Sequence, residues 1–493
     1  MRNNIKDISN GKPLLFLMLF ALGTTCSEKQ AADPNNPILA TVCDRTITAK
    51  DFQSRAELTV RPGNIRTNKA VLNNLIAEKL MAIEAGDTCA LARNPVFKAY
   101  IQGIQEQNMR EALYEKVALN TIWISPEDLK KSFNLSKRVY DLEFFTINNP
   151  SITEEIETRL KANPDEKEKI FDEISERWET GIQTIIFHDP EHDSIHTALF
   201  SEPLETGQVI GPVHLDKSQS IMMRIKEVKI QPVIGPEEQA IRLKQVEEKV
   251  REIRSRAAWK QYKKKLMSGK QIRFFRESFD RIIAWYKAMT PDPDAVKNMS
   301  NPDSTENPPA QFNIPAQLDE ILDQPFLSVG NEQWTVRDFK QAIMSHPLVY
   351  DKKAVNTNNF EWHFQKAVAD LVVDHFLNQE AYKHNLDDHE RVKRRSEQWT
   401  DSYLARYQLE NHLKKKNLAE LKKQDPSYKG PRILNEYLLE LKHQYQDHIQ
   451  IDTEALDRLS LTNTQIYAYQ PGMPYPAAVP SFPNLSSADT LIF

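Results

Sequence analysis

The chain is 493 residues long, more than one hydrophobic core can organise, and length alone suggests about three domains. Its apolar share of 40% and charged share of 27% suit a soluble globular protein, and a net charge of −5 removes any global electrostatic case for nucleic acid or an anionic membrane as partner. Glycine is scarce, at 13 residues, and no Walker or dinucleotide fingerprint occurs, so the usual phosphate cradles are excluded.

Taken in chain order, the first informative segment is 1–26. Arg2, Lys6 and Lys12 precede an apolar run from Leu14 to Leu22, far short of the roughly 20 residues that span a bilayer but suited to a signal-peptide core. Leu22-Gly23-Thr24-Thr25-Cys26 resembles a bacterial lipoprotein signal and makes Cys26 the candidate lipidation site. It departs from that pattern, which favours Leu where Gly23 stands and Gly or Ala where Thr25 stands, so acylation and plain leader removal both remain open. Either way the expected location is the periplasm, with an outer-membrane anchor if Cys26 carries lipid. Cys43 and Cys89 then form an even pair in an oxidising compartment, and their pairing stays open.

A helical segment over 27–137 follows, and it begins with a pattern that returns later. Leu39 to Val42, then Ile47-Thr48-Ala49-Lys50-Asp51-Phe52, align without a gap on Phe326 to Val329, then Trp334-Thr335-Val336-Arg337-Asp338-Phe339. Both read as a strand, a turn, a second strand and a Thr-x-x-Asp helix start, in which Thr and Asp satisfy the first free amides. The next helix repeats too. Leu72, Leu75, Ile76, Leu80 and Ile83 form one apolar stripe ending at Glu84-Ala85, and Val368, Leu371, Val372 and Phe376 form another ending at Glu380-Ala381. A third echo pairs the strand and helix start at Gln271 to Ile282 with that at His448 to Leu459.

Only the first copy carries a mixed insert, over 138–230. Ser125-Pro126-Glu127-Asp128 caps a short helix before it, and strands are expected at Val139 to Ile147, Gln183 to Phe187 and Ser220 to Val228. Pro236 opens a long amphipathic helix with Ala240, Leu243, Val246, Val250, Ile253 and Ala257 inward. That helix and the strand after it, over 231–288, are expected to complete the first module. Residues 289–315, rich in Pro, Asn, Asp and Ser, read as a linker. The second module is expected over 316–460 with a core of its own, and the Pro-rich tail 461–493 is expected to lie on it.

This order of parts resembles the SurA/PrsA/PpiD group of periplasmic peptidyl-prolyl isomerase chaperones. The most specific piece is Leu204-Glu205-Thr206-Gly207-Gln208-Val209-Ile210-Gly211-Pro212-Val213, which is similar to the parvulin motif Leu-x-x-Gly-Glu-Val-Ser-x-Pro-Val. The resemblance implies an α+β, predominantly α-helical fold: two SurA-N-like helical modules, the first with an inserted parvulin-like α/β domain. It also implies unfolded polypeptides as clients; no nucleic acid, cofactor or metal is expected. In that family two facing histidines shape a pocket that favours the twisted amide over the planar one. Here Tyr140 to Thr146 on the opening strand and Ser220 to Ile225 on the closing strand contain no histidine, so no catalytic residue is carried over.

Two other constellations have plainer readings. His188, His192 and His196 are spaced by four, but Pro190 interrupts them and a surface loop is expected. The basic run Arg251 to Arg273, with Trp259 and Tyr262, is expected to be the solvated side of a helix with Trp259 packed inward. The expected function is an ATP-independent holdase for unfolded envelope or outer-membrane proteins. An active isomerase and a lipoprotein scaffold subunit are the alternatives.

Overall fold

The computed structural model describes residues 36–289, 316–349, 359–416, 430–462, 466–486 and 488. Cys26, the apolar run before it and nearly all of the linker lie outside them. Among the described residues the fold is mixed α+β and mostly helical, with three small antiparallel sheets. In chain order the elements are β1 (Ile38–Val42), β2 (Arg45–Thr48), α1 (Ala49–Glu57), α2 (Asn68–Ala85), α3 (Pro95–Val117) and α4 (Pro126–Leu135). Then come β3 (Arg138–Ile147), α5 (Pro150–Ala162), α6 (Lys167–Ser175), β4 (Gly181–Ile186), α7 (Asp193–Phe200), β5 (Val209–His214) and β6 (Ser220–Ile230). These lead to α8 (Pro236–Leu266), β7 (Ile272–Phe274), α9 (Arg276–Met289), β8 (Pro325–Val329), β9 (Glu332–Thr335), α10 (Val336–Ser345) and α11 (Phe360–Lys383). The last are α12 (Glu390–Lys415), α13 (Gly430–Tyr445), β10 (Ile449–Ile451) and α14 (Thr453–Asp457).

The chain divides into two compact units. One comprises residues up to Leu80, Ala419–Ile466 and Phe482 onward; the other comprises Met81–Leu418 and Tyr467–Ser481. In the first unit β1 pairs with β2 and with β10, and α1 starts on a reciprocal capping box: Thr48 N–H donates to Asp51 at 3.0 Å and Asp51 N–H to Thr48 Oγ1 at 3.3 Å. Beneath the sheet, Phe52, Ala56, Leu72 and Ile76 are fully buried, and the guanidinium of Arg55 meets Glu78 in two bonds of 2.7 and 2.9 Å. The second unit repeats the hairpin and the box at β8, β9 and α10, where Thr335 N–H reaches Asp338 at 2.8 Å and Asp338 N–H reaches Thr335 at 3.2 Å.

Each hairpin takes its third strand from the other copy. The strand at Ile272–Phe274, expected to complete the first module, pairs with β8, while Ile449–Ile451, expected in the second, pairs with β1. A self-contained core over 316–460 is therefore replaced by an exchange. The registers are equivalent: Val42 faces Ile449 as Val329 faces Ile272. As built, the closing strands lie 57 residues (329 − 272) and 407 residues (449 − 42) from their partners; unexchanged, they would lie 230 (272 − 42) and 120 (449 − 329) away. Closure cost grows only with the logarithm of length, so the two arrangements differ by about 0.2 kcal/mol. Chain entropy is indifferent and side chains decide. Phe274 lies 4.9 Å from Phe279 and 5.8 Å from Phe326, an aromatic cluster that the small Ala40, opposite Ile451, does not offer.

The insert forms one four-stranded sheet in the order β4-β3-β6-β5, with α5 and α6 covering one face and α7 the other. The three strands expected there are present, and β5 adds a fourth. The inward stripe of α8 starts later than its periodicity suggests: Val246 and Val250 are buried, while Ala240, Leu243 and Ala257 face solvent. Trp259 is inward as expected, 5.7 Å from Tyr114, and stacks on Tyr262 at 5.5 Å. No helix among the described residues is long and apolar enough to cross a membrane.

Candidate functional site

The insert is one candidate. Its central strands β3 and β6 place Leu142 opposite Ile225 and Phe144 opposite Met223, so the two histidine-free segments do face one another. Tyr140, Leu142, Met223 and Ile225 are essentially fully buried beneath α7 and the α8 residues Val246 and Val250. The Tyr140 hydroxyl on this face accepts from Arg138 Nε at 2.9 Å and from Leu204 N–H at 3.4 Å. Most of this face is packed apolar core.

The histidine run is divided among three roles. His192 caps α7, its Nδ1 accepting from Ser194 N–H at 3.2 Å. His196 is not in a surface loop: α7 begins after Pro190, and the ring is buried between Phe187 and Phe200 with Nε2 3.0 Å from Phe187 O. Burial pushes its imidazole down to about 4, against the upward pull of the Phe187 carbonyl. His188 is half-buried, and burial likewise lowers it. Among the described residues no group of three such side chains could hold a metal. Cys43 and Cys89 are both free.

A second candidate is a groove in the second unit, a cavity of about 830 Å³ between α3, β9, α10 and α11. Its base is a chain of polar contacts. Glu106 of α3 is buried and accepts from Gln102 at 2.9 Å, Asn378 at 2.8 Å and the Tyr382 hydroxyl at 3.3 Å. Burial and the Glu106 carboxylate push Tyr382 up to about 12. Arg110 donates to Asn378 at 2.7 Å and pairs with Asp374 at 3.3 Å, and Asp374 in turn meets His346 Nε2 at 2.8 Å. Burial tends to raise Asp374, but the His346 hydrogen bond and the Arg110 charge outweigh it and hold the carboxyl low. At the rim, Glu332 accepts from Gln379 at 3.2 Å and Trp334 Nε1 at 3.4 Å. The lining residues include carboxylates at Glu106, Glu332 and Asp338 and no Lys or Arg.

Beside the groove the chain itself fills a slot. The tail, expected on the second module, meets it at Ser345, and Tyr475 is held as well by Gln107 of α3, in the segment preceding the insert. Gln107 donates to Tyr475 O at 2.7 Å and accepts Tyr475 N–H at 3.0 Å. The Tyr475 hydroxyl donates to Ser345 O at 2.7 Å, and its ring meets Tyr100 edge-on at 5.3 Å. Gly103 makes room: a Cβ there would stand 1.9 Å from Ser345 O and 2.2 Å from the Tyr475 hydroxyl. In the first unit Asn74 treats a later stretch of tail similarly, its Oδ1 accepting from Leu485 and Ser486 N–H at 2.7 and 2.8 Å.

Sequence reasoning missed the groove because α3 buries Glu106, Gln107, Asn108 and Arg110 and so shows no clean apolar stripe. The available signal was a run of amides and charges inside a helix with Pro95 at its start. In comparisons with known proteins the chain matches no family model and no curated protein.

Proposed function

We propose that the protein is an exported, ATP-independent holdase for unfolded envelope or outer-membrane polypeptides. Its two helical modules share strands, and its parvulin-like insert lacks isomerase chemistry. The observation that carries the second part is the centre of the insert's sheet. Tyr140, Leu142, Met223 and Ile225 are buried on the two strands where the resemblance places histidines, and α7 and α8 close that face. The holdase part is supported by large apolar side chains left in solvent on and beside the insert: Trp123, Ile182, Ile230, Ile234 and Ile241. Residues 138–230 stand as a separate sheet, and clients engaging both it and the helical parts would gain avidity.

Two assays test this together. A coupled-protease assay on Xaa-Pro peptides should show acceleration near background, while the same protein slows aggregation of an unfolded outer-membrane protein. Deleting Val139 to Val228 and bridging the gap with a short flexible linker should leave much of that protection. Acceleration comparable to an active parvulin would overturn the non-catalytic reading, and failure to slow aggregation would overturn the holdase.

A further inference from the structure

The tail contact around Tyr475 combines core burial, beside Tyr100 and Ile104, with the backbone pairing of a bound peptide. Residues 467–481 carry no charged side chain, and they fold back on themselves through Gln470 N–H to Pro476 O at 2.8 Å and Ala478 N–H to Ala468 O at 3.1 Å. The loop presents Tyr475 between Pro474 and Pro476. Gln107, itself 7% exposed, pairs with both backbone groups of Tyr475, the two-point contact that one strand makes with another. Such an amide reads backbone and is indifferent to which chain supplies it. The ring pocket, opened by Gly103 and walled by Tyr100, accepts an aromatic side chain with one hydroxyl bond to Ser345 O. Ser345 and Glu106 also line the neighbouring cavity, which the tail leaves open, so a longer segment could run on from the slot.

We propose that the Gln107–Gly103 slot is a binding site for uncharged polypeptide segments presenting a tyrosine beside proline, and that the chain fills it with its own C-terminal loop as a displaceable self-ligand. This rests on the holdase reading and adds where a client would dock and what it must displace. A tethered loop acts at an effective concentration of order mM, so a client competes at a disadvantage until the loop lets go. Emptying the slot should therefore raise affinity for an added segment.

The probe is a fluorescent peptide spanning Ala468 to Ser481. It should bind Tyr475→Ala at least tenfold more tightly than wild type, and Gln107→Ala added to Tyr475→Ala should abolish the gain. On the wild-type chain, saturation with an unfolded outer-membrane protein should speed amide exchange across 467–481. A folded Tyr475→Ala that ignores the probe overturns the proposal, as does client binding that leaves exchange at 467–481 unchanged. If Tyr475→Ala fails to fold, the exchange measurement on wild type decides. A wild-type protein that does not hold clients would count against the holdase alone, and probe binding still decides the slot.

Discussion

The two hairpin sheets have the same register and opposite provenance, and the helices beneath them put an equivalent carboxylate to different uses. Glu78 of α2 and Asp374 of α11 are equivalent in the repeat (374 − 78 = 296, the offset that also superposes Ala85 on Ala381). In the first unit the carboxylate is sealed against Arg55, both side chains under 5% exposed. In the second, Ala342 stands at the position matching Arg55 (342 − 55 = 287), and Asp374 turns instead to His346 and Arg110, with 26% of its side chain exposed beside the groove. The same scaffold thus seals its charge against an arginine in one copy and ties it to a cavity-lining histidine in the other. The repeat conserves the way a hairpin starts a helix, and what that helix does with its polar residues is free to change.

The largest test of this comparison is a cut. A fragment from Gln311 to Phe493 keeps β8, β9 and β10 but loses β7, β1 and β2, so neither sheet can form whole. It should show no cooperative thermal transition, whereas Met81 to Leu418, which holds β7, β8 and β9 together, should melt cooperatively. A sharp melt of the shorter fragment would mean that the strands can return to their own copies.

Next comes the divergent carboxylate. Glu78→Ala leaves the Arg55 charge buried without its partner and should cost about 3–5 kcal/mol. Asp374→Ala leaves Arg110 its bond to Asn378 at 2.7 Å, in a site partly open to water, so about 1–2 kcal/mol is expected. Denaturant titrations followed by amide exchange in β1 and β8 would separate the two losses. Equal losses would mean that the sealed and open settings are energetically alike.

Much of the first unit's architecture was readable in the sequence. Thr48-x-x-Asp51 and Thr335-x-x-Asp338 announce helix starts because capping is local chemistry, and α2 and α11 announce themselves by apolar spacing. The strand exchange was not readable. Three-residue strands such as Ile272–Phe274 and Ile449–Ile451 carry too little pattern to mark their partner hairpin, and the packing of Phe274 on Phe279 and Phe326 shows only in the fold. The groove was hidden for a different reason. Gln107 and Glu106 face inward on a helix whose polar residues look like a solvated side until Tyr475, more than 360 residues further on (475 − 107 = 368), supplies the partner.

A pH titration sharpens the contrast by addressing the four-stranded sheet of β3 to β6, which has no counterpart beside β8 and β9 among the described residues. The folded His196 imidazole sits at about 4 against an ordinary 6.5, because burial disfavours its charge. Between those values the unfolded chain binds a proton that the folded chain does not. Its contribution is therefore fully present above pH 6.5 and is lost as pH falls towards 4. After allowance for solvent near the ring, the loss is about 2 kcal/mol. His188, also lowered by burial, acts in the same sense. Amide exchange in β3 and β6 should accelerate over that window in wild type and do so less in His196→Gln, which keeps a donor for Phe187 O. An unchanged slope in the variant would move the effect to another group.

The smallest expected effect is the most direct comparison of the two copies. Both capping boxes are reciprocal, but Thr48 is 2% exposed while Thr335 is partly open to water. Thr→Ala at either position removes the hydroxyl that accepts the N3 amide, worth about 1 kcal/mol. At Thr48 the freed amide of Asp51 has less access to water than that of Asp338, so Thr48→Ala should cost more, towards about 2 kcal/mol. Thr→Ser at each position keeps the oxygen and should recover most of the loss. Exchange protection in β1 against that in β8 reads the two effects separately within one chain. A larger loss at Thr335 would show that the exposed box carries more of its helix than the buried one, and that burial beneath the first sheet already holds α1 in place without its cap.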